Sequence, residues 1–314
     1  MKGAIILLKK LKKYGEWYLL LAIPVIGTIV FSIYPLAASV KDSLCNANGS
    51  FVGTANYQIL FNDTEFRKAL VNTLYMGVLG ILCNLPLAFV MANMLNKVSR
   101  FKSVFKTIFL LPMMMSMVTV ALLAKFIFSA DPNGLANVVL SLFHLGKCGW
   151  FNDPGTSRET LIAMAVWKGL GYNVILFFSG LQTVPVEYYE ASRIDGANEW
   201  NQWMYITIPS MKNTFIFVYI TTAINVLKRF ADVYAVSGEF GAPAGSLFTI
   251  MLFIYRKTFS TRFSKELGMG AAASIVLFLI ILIITAANYL LTEGDEGKTG
   301  KWKAKMKRKG GVQK

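Results

Sequence analysis

The sequence is poor in charged residues, in histidine and in cysteine. Charged residues make up 16% of its 314 residues, whereas a soluble domain carries about 25%. This scarcity argues against a soluble globular fold. The one histidine, His144, and the three cysteines, Cys45, Cys83 and Cys148, do not have the spacing of a metal site. We therefore expect no metal ligands in this chain.

Motifs that would indicate an enzyme are also missing. Residues 297–299 read Gly-Lys-Thr, like the end of a phosphate-binding P-loop, but that motif needs a glycine at position 292, where threonine stands. His144 falls in a predicted loop, which excludes a buried Ser–His dyad. We expect no catalytic residues and no cofactor bound by this chain.

Long apolar runs without charge are what the sequence has in abundance. They cover residues 17–40, 69–96, 107–124, 161–185 (interrupted by Lys168), 213–227 and 267–292. A bilayer core of about 30 Å needs about 20 residues of helix, and a helix satisfies its backbone groups internally. The runs predict an all-α, polytopic membrane protein with six transmembrane helices in a domain over residues 17–292.

The first run follows several lysines, as in a signal peptide. It is longer than the roughly 7–15 apolar residues of such a peptide, and five more runs follow, so we interpret it as a span. Lysine and arginine number 19 in the two tails and in loops 97–106 and 185–212, against 12 in the other loops. The positive-inside rule then predicts cytoplasmic termini in the cell membrane. Cys45 and Cys148 would share the outer side, either as a disulfide or as free thiols.

The two tails explain most of the net charge of +15. Residues 1–16 mix lysines with isoleucine and leucine, which predicts an interfacial helix on the cytoplasmic surface. Residues 293–314 form a basic cytoplasmic tail beside anionic membrane lipids. The charge therefore indicates lipid contact, and we expect no nucleic-acid partner.

The predicted inside loop 187–209 is the most informative stretch. Residues up to Asp195 can form a short helix that Gly196 ends, because glycine tolerates the left-handed conformation of a helix stop. Small residues nearby keep one surface of this elbow low, as in a helix that docks into a groove. The alternative is an amphipathic connector whose charges are merely solvated.

The elbow resembles a known signature. The stretch Glu190-Ala191-Ser192…Asp195-Gly196-Ala197…Ile206…Ile208-Pro209 is similar to the EAA loop in permeases of ATP-binding-cassette importers. Residues 51–57, 72–73, 111–112, 134–137, 167–169 and 180–185 resemble the maltose- and glycerol-phosphate-type sugar permeases. Two positions depart: Ala242 stands where the family often has glycine, and Ser192 replaces the second alanine of the signature. The resemblance implies the type I importer permease architecture.

In that family the EAA loop docks into a cytoplasmic ATPase. Carried over, the coupling residues are Glu187, Glu190, Ala191, Ser192, Asp195, Gly196, Ala197 and Pro209. The implied partners are a second homologous permease, an ATPase dimer that holds ATP and magnesium, and an extracytoplasmic solute-binding protein. ATP binding would drive alternating access.

The solute path is implied by the same resemblance, in the fourth and fifth spans. The matching residues are Trp167, Gly169, Tyr172, Thr222, Asn225 and Arg229. The alternative is that Trp167 and Tyr172 lie in the interface belt and Arg229 snorkels. A sugar or oligosaccharide is the expected solute, with a sugar alcohol or a glycerol-phosphate-like solute left open, as is which of the two permeases binds it.

Two rival functions remain. An ion-driven secondary transporter would need acidic residues in mid-span, and the predicted spans contain none. A membrane enzyme or sensor would need a catalytic constellation or an added soluble domain, and neither is visible in the sequence.

Overall fold

In a computed structural model of the chain, residues 17, 19–98, 100–260 and 266–310 are described, with side chains as far as residue 290. These residues are mostly helical and hold no β-strand. The interfacial helix predicted for residues 1–16 lies outside the described residues.

Fourteen helices follow one another along the described chain. They are α1 (Leu19–Ser43), α2 (Ala55–Asn62), α3 (Thr64–Lys97), α4 (Lys102–Met114), α5 (Met117–Ile127), α6 (Leu135–Leu142), α7 (Ser157–Leu181), α8 (Val186–Ile194), α9 (Glu199–Gln202), α10 (Ile208–Ser210), α11 (Lys212–Leu227), α12 (Ala231–Ser237), α13 (Ile250–Thr258) and α14 (Leu267–Gly310). A π-helical turn, Trp203–Thr207, joins α9 to α10.

The predicted membrane spans are present, with two changes. Four stretches match the predicted first, second, fourth and sixth spans: α1, α3, α7 and Leu267–Leu290. The fifth span is longer than predicted, because a 29-residue segment, Lys212–Phe240, qualifies where 213–227 was expected. The third is not one straight helix, since α4 and α5 meet at 94°. Counted as one broken span, the pair completes a set of six, and the all-α membrane fold is confirmed.

The chain divides into two compact units. Residues up to Asp63, with Lys257–Val276, make the first, and Thr64–Arg256, with the residues from Leu277 onward, make the second. In the first unit, the Asn56 amide donates to the carbonyls of Ser43 and Cys45, both at 2.8 Å, and so fixes the turn after α1. All three cysteines are free thiols.

Helix α7 lies at the centre of the second unit, where it contacts α3, α4, α5 and α11. Two glycines permit this packing. A Cβ at Gly171 would lie 1.7 Å from the Phe109 carbonyl oxygen on α4, and a Cβ at Gly180 would lie 2.6 Å from the Thr214 hydroxyl on α11. A larger residue at either position would push these helices apart.

On the far side of the same unit, α3 holds the segment before α13. The Asn72 amide donates to the carbonyls of Gly245 and Phe248, and the Ile250 amide donates to the Thr73 hydroxyl. These bonds satisfy backbone groups that would otherwise have no partner, and they hold this non-helical segment against the spans.

One side chain stabilises the break between α4 and α5. The Lys168 ammonium, on α7, donates to the carbonyls of Pro112, Met113 and Met115, at 3.2, 3.2 and 2.7 Å. A lysine has three N–H donors, so each of these bonds can have its own proton. Carbonyls that an unbroken helix would satisfy are thus satisfied from a neighbouring helix, and the positive charge lies at the carboxyl end of α4, where the helix dipole favours it.

We predict that Lys168→Met lowers the free energy of unfolding by about 1–3 kcal/mol, because it removes the shared donor from three carbonyls in a membrane-spanning segment. The measurement is the unfolding midpoint in detergent. Lys125→Met is the matched control, since Lys125 is exposed on α5. Equal midpoints for the two variants would contradict this explanation of the break.

Candidate functional site

The elbow, residues 187–209, is built from two helical pieces and a stop. Helix α8 ends at Ile194, and Gly196 follows with φ of +80°, in the left-handed region that the sequence predicts for it. The Asn198 side chain then accepts a bond of 2.8 Å from the Asn201 amide and so caps α9. The chain therefore turns sharply and returns toward the membrane spans.

Helix α8 has two different faces. The exposed face carries the predicted contact residues Glu187, Glu190 and Ala191, together with Ile194, which is 88% exposed. Asp195, Gly196 and Pro209 are exposed as well, whereas Ala197 is half-buried. Ser192, predicted as part of the same low surface, is half-buried on the inner face and bonds to other parts of the elbow.

The elbow rests on an apolar core between the carboxyl-terminal halves of α3 and α7 and the start of α11. Trp203, in the π-helical turn, packs edge-on against Phe89, with 5.7 Å between ring centroids. Phe89 also contacts Phe177 and Phe215, at 5.6 and 5.0 Å. Aromatic pairs of this geometry contribute about 0.5–1.5 kcal/mol each beyond their buried area. The second half of the elbow is therefore fixed to the spans.

An ion pair joins the elbow to α3 at the surface. The Lys97 ammonium lies 2.8 Å from the Glu199 carboxylate, and both side chains are exposed. This hydrogen bond and the charge of Lys97 lower the pKa of the Glu199 carboxyl. Exposed pairs contribute little to stability, so this contact orients α9 more than it stabilises it.

Two of the predicted path residues lie in the packing between helices. The Asn173 amide donates to the Asn84 side-chain oxygen at 2.6 Å and to the Thr222 hydroxyl at 3.0 Å, which links α7 to α3 and α11. Gly169 faces the same Asn84, 3.6 Å from an added Cβ. The Asn84–Asn173–Thr222 group is buried. This role of the two asparagines was not predicted, although amides inside apolar spans are a known signal of interhelical bonding.

Arg229 is buried in an ion pair. Its Nε lies 3.0 Å from the Asp232 carboxylate, and the two side chains are 9% and 1% exposed. Asp232 also accepts a bond from the Val233 amide at 2.9 Å. Among the described residues, no group accepts a bond from the Nη1 of Arg229. The pair is therefore neutral overall and retains one buried donor.

The other three predicted path residues are on surfaces of the second unit. Trp167 is 51% exposed and Tyr172 is 36% exposed, both on α7, and Asn225 is exposed on α11. The structure thus separates the six residues into packing residues, one ion-paired residue and three accessible residues.

Comparison with known proteins places this geometry among permeases. The family model for binding-protein-dependent transport system inner membrane components matches residues 84–294. The chain is 34% identical to the lactose transport system permease protein of Rhizobium radiobacter, over 88% of this chain and 94% of that one. It is 30% identical to the arabinooligosaccharides transport system permease protein of Bacillus subtilis (strain 168), over 90% of each.

Solved structures agree with the fold. A bacterial ABC transporter involved in importing the acidic polysaccharide alginate matches with a TM-score of 0.80 at 23% identity, over 91% of this chain and 98% of that one. A second alginate transporter structure, in complex with a periplasmic protein bound to an alginate pentasaccharide, matches with a TM-score of 0.76 at 24% identity, over 89% and 94%. At this identity the likeness shows the fold.

We predict that Asn173→Leu lowers the free energy of unfolding by about 1–2 kcal/mol, because it leaves two buried polar groups without their shared donor. Asn225→Leu, the same substitution at an exposed site, should stay within about 0.5 kcal/mol of the unaltered protein. Thermal unfolding in detergent distinguishes them. An unchanged midpoint for Asn173→Leu would show that the Asn84–Asn173–Thr222 group adds nothing to stability.

Proposed function

Because the chain belongs to the family of binding-protein-dependent transport system inner membrane components, we propose that it is the permease subunit of an ATP-driven importer. It carries a sugar or oligosaccharide across the cell membrane, with both termini in the cytoplasm. A second homologous permease completes the pathway, and an extracytoplasmic binding protein delivers the solute. A cytoplasmic ATPase dimer binds ATP and magnesium and performs the hydrolysis.

The exposed face of α8 is the observation that carries the coupling role. Glu190 supplies a carboxylate and Ala191 a small contact surface, while Ile194 offers an apolar side chain to the cytoplasm. Trp200, 65% exposed on α9, enlarges the apolar area. A short helix that exposes large apolar groups beside a carboxylate suits a groove in another protein. We assign that groove to the ATPase.

The arrangement of charges also favours an ATP-driven importer over an ion-driven transporter. Asp232 lies inside the segment Lys212–Phe240, which is longer than the predicted fifth span, and it is paired with Arg229. The carboxylate of Asp232 is thus already engaged by a cation of the same chain. We assign the energy for alternating access to the partner ATPase.

The accessible residues suit a sugar. Aromatic faces such as those of Trp167 and Tyr172 cover the apolar side of a sugar ring, and the Asn225 amide bonds to hydroxyls. The Arg229–Asp232 pair is neutral, so its remaining Nη1 donor suits a hydroxyl better than an anionic group. Lactose and arabinooligosaccharides, which appear in the names of two relatives, are the first solutes to test.

The docking role is tested by affinity purification of the tagged chain from its native membrane. We predict that the unaltered chain brings a second permease and an ATPase, and that Gly196→Asp loses the ATPase but keeps the permease. The aspartate adds bulk and charge to the docking surface. A new Cβ at Gly196 has no neighbour within 4 Å, so the structural cost of the variant is the backbone strain of a side chain at φ of +80°.

Gly49→Asp is the matched control, because Gly49 has the same φ of +80° and equally open surroundings, outside the elbow. It should keep the ATPase in full. Retention of the ATPase by Gly196→Asp would remove the coupling role from the elbow, and a chain that purifies alone would favour the secondary-transporter function.

The solute path is tested with isosteric variants one turn apart on α11. We predict that Asn225→Leu raises the KM for radiolabelled sugar uptake by about tenfold, the loss expected of one hydrogen bond of about 1.4 kcal/mol. Thr222→Val should leave KM unchanged and lower stability instead. Uptake of lactose and of an arabino-oligosaccharide into membrane vesicles, with binding protein added, provides the measurement. An unchanged KM for Asn225→Leu would exclude this residue from the path.

A further inference from the structure

The inner face of α8 is held by hydrogen bonds that docking does not explain. Tyr189 and Ser192 are one turn apart on this face, and both are half-buried. Gln202, at the end of α9, is 8% exposed, and Thr207, at the end of the π-helical turn, is 1% exposed. These four polar side chains meet inside the elbow.

Their bonds form two reciprocal relays. In the first, the Gln202 amide donates to the Ser192 hydroxyl at 3.0 Å, and that hydroxyl donates to the Tyr189 carbonyl at 2.9 Å. In the second, the hydroxyls of Tyr189 and Thr207 are 2.9 Å apart, and Thr207 donates to the Gln202 carbonyl at 3.2 Å. Since the proton of Thr207 is used there, Tyr189 must be the donor between the two hydroxyls. The hydroxyls of Ser192 and Thr207 therefore each donate once and accept once, and the Tyr189 hydroxyl donates once.

We propose that this clamp of Tyr189, Ser192, Gln202 and Thr207 makes the elbow a rigid lever, with Gln202 as its principal positioning residue. The inference rests on the proposed function, since it concerns how a push from the ATPase on α8 reaches the spans. Gln202 does not touch the ATPase or the solute. It acts by fixing α8 against the part of the elbow that packs on the spans.

The rest of the lever is continuous with the core. Trp203 follows Gln202 directly and contacts Phe89 on α3, which in turn contacts Phe177 on α7 and Phe215 on α11.

Residues 182–185 join α8 to α7, and Tyr189 packs against the same core. The link from α8 to α9 runs through the turn around Gly196, where the glycine gives the backbone additional freedom. Without the clamp, a force on α8 would bend this turn and would not pass through α9 to the core contacts of Trp203.

Ser192 belongs to the clamp, although the family signature has alanine at this position. An alanine there would leave the Gln202 amide with only the Tyr189 carbonyl, at 3.5 Å, which is the upper limit for a hydrogen bond. The serine therefore makes the first relay a feature of this chain.

The test uses Gln202→Met, which keeps the length of the side chain and removes its donor, in the complex purified with its partners. Hydrogen exchange is measured with and without a non-hydrolysable ATP analogue. We expect the amides of residues 186–194 to exchange at least threefold faster in the variant without nucleotide. The nucleotide-dependent change in exchange in α11 should fall at least threefold, while bound ATPase and its hydrolysis rate stay within twofold. If Gln202 served only to stabilise the fold, the variant would lower ATP hydrolysis and the exchange response of α11 together.

Two further variants make the result specific. Gln58→Met is the same substitution at an exposed glutamine of α2 and should change neither readout. Ser192→Ala should reproduce the effect more mildly, and it carries the test if Gln202→Met does not accumulate. The Ser192→Ala/Gln202→Met double variant should be no worse than Gln202→Met alone, because both changes remove one shared bond.

The outcomes separate the lever from the function on which it rests. An unaltered chain that brings no ATPase contradicts the proposed function, while the exchange of residues 186–194 still decides whether the clamp exists. An unchanged response of α11 in Gln202→Met, or strictly additive effects in the double variant, would overturn the lever.

Discussion

A bilayer core contains no water to bond with polar groups, so every such group in a span needs a partner within the protein. Around α7 this constraint produces two joints. Asn173 bonds to side chains on α3 and α11, and Lys168 bonds to the open carbonyls at the end of α4. Each joint satisfies a polar group and at the same time fixes one helix against another, so the position of α7 follows from where its polar residues lie.

The two faces of α8 in the elbow differ in whether their side chains have partners within the chain. Its inner polar groups bond to one another, whereas its outer face leaves a carboxylate at Glu190 and an apolar side chain at Ile194 exposed. A surface of this kind gains free energy only when a partner covers it, and it loses little on docking if its backbone is already fixed. The bonded inner face and the exposed outer face therefore both fit the proposed role of the elbow in transmitting force from a partner.

Length and apolarity were enough to predict the spans, because a helix of about 20 apolar residues has few alternatives in a membrane. They were not enough to predict the broken third span. Pro86 lies inside the unbroken α3, whereas Pro112 lies just before the break, so proline alone does not decide. Lys168, which bonds to the carbonyls at the break, is more than fifty positions away in the sequence. The sequence also did not predict that Thr222 is buried and Asn225 exposed, since a helix that is apolar all round gives no periodic signal for its inner face. Ser192 was assigned to the outer surface for its size, and its inward position depends on Gln202.

Some polar residues of the spans hold helices together, and others are exposed. This difference bears on how the solute specificity of such a permease can change. The amides that hold α3, α7 and α11 together are buried and already bonded, so changing them would alter the fold. Trp167, Tyr172 and Asn225 have no part in those joints and can change with little structural cost. Relatives at 34% and 30% identity over most of their length carry different solutes in their names. With the scaffold held by one set of polar groups and the proposed pathway lined by another, selection for a new solute would not oppose selection for stability.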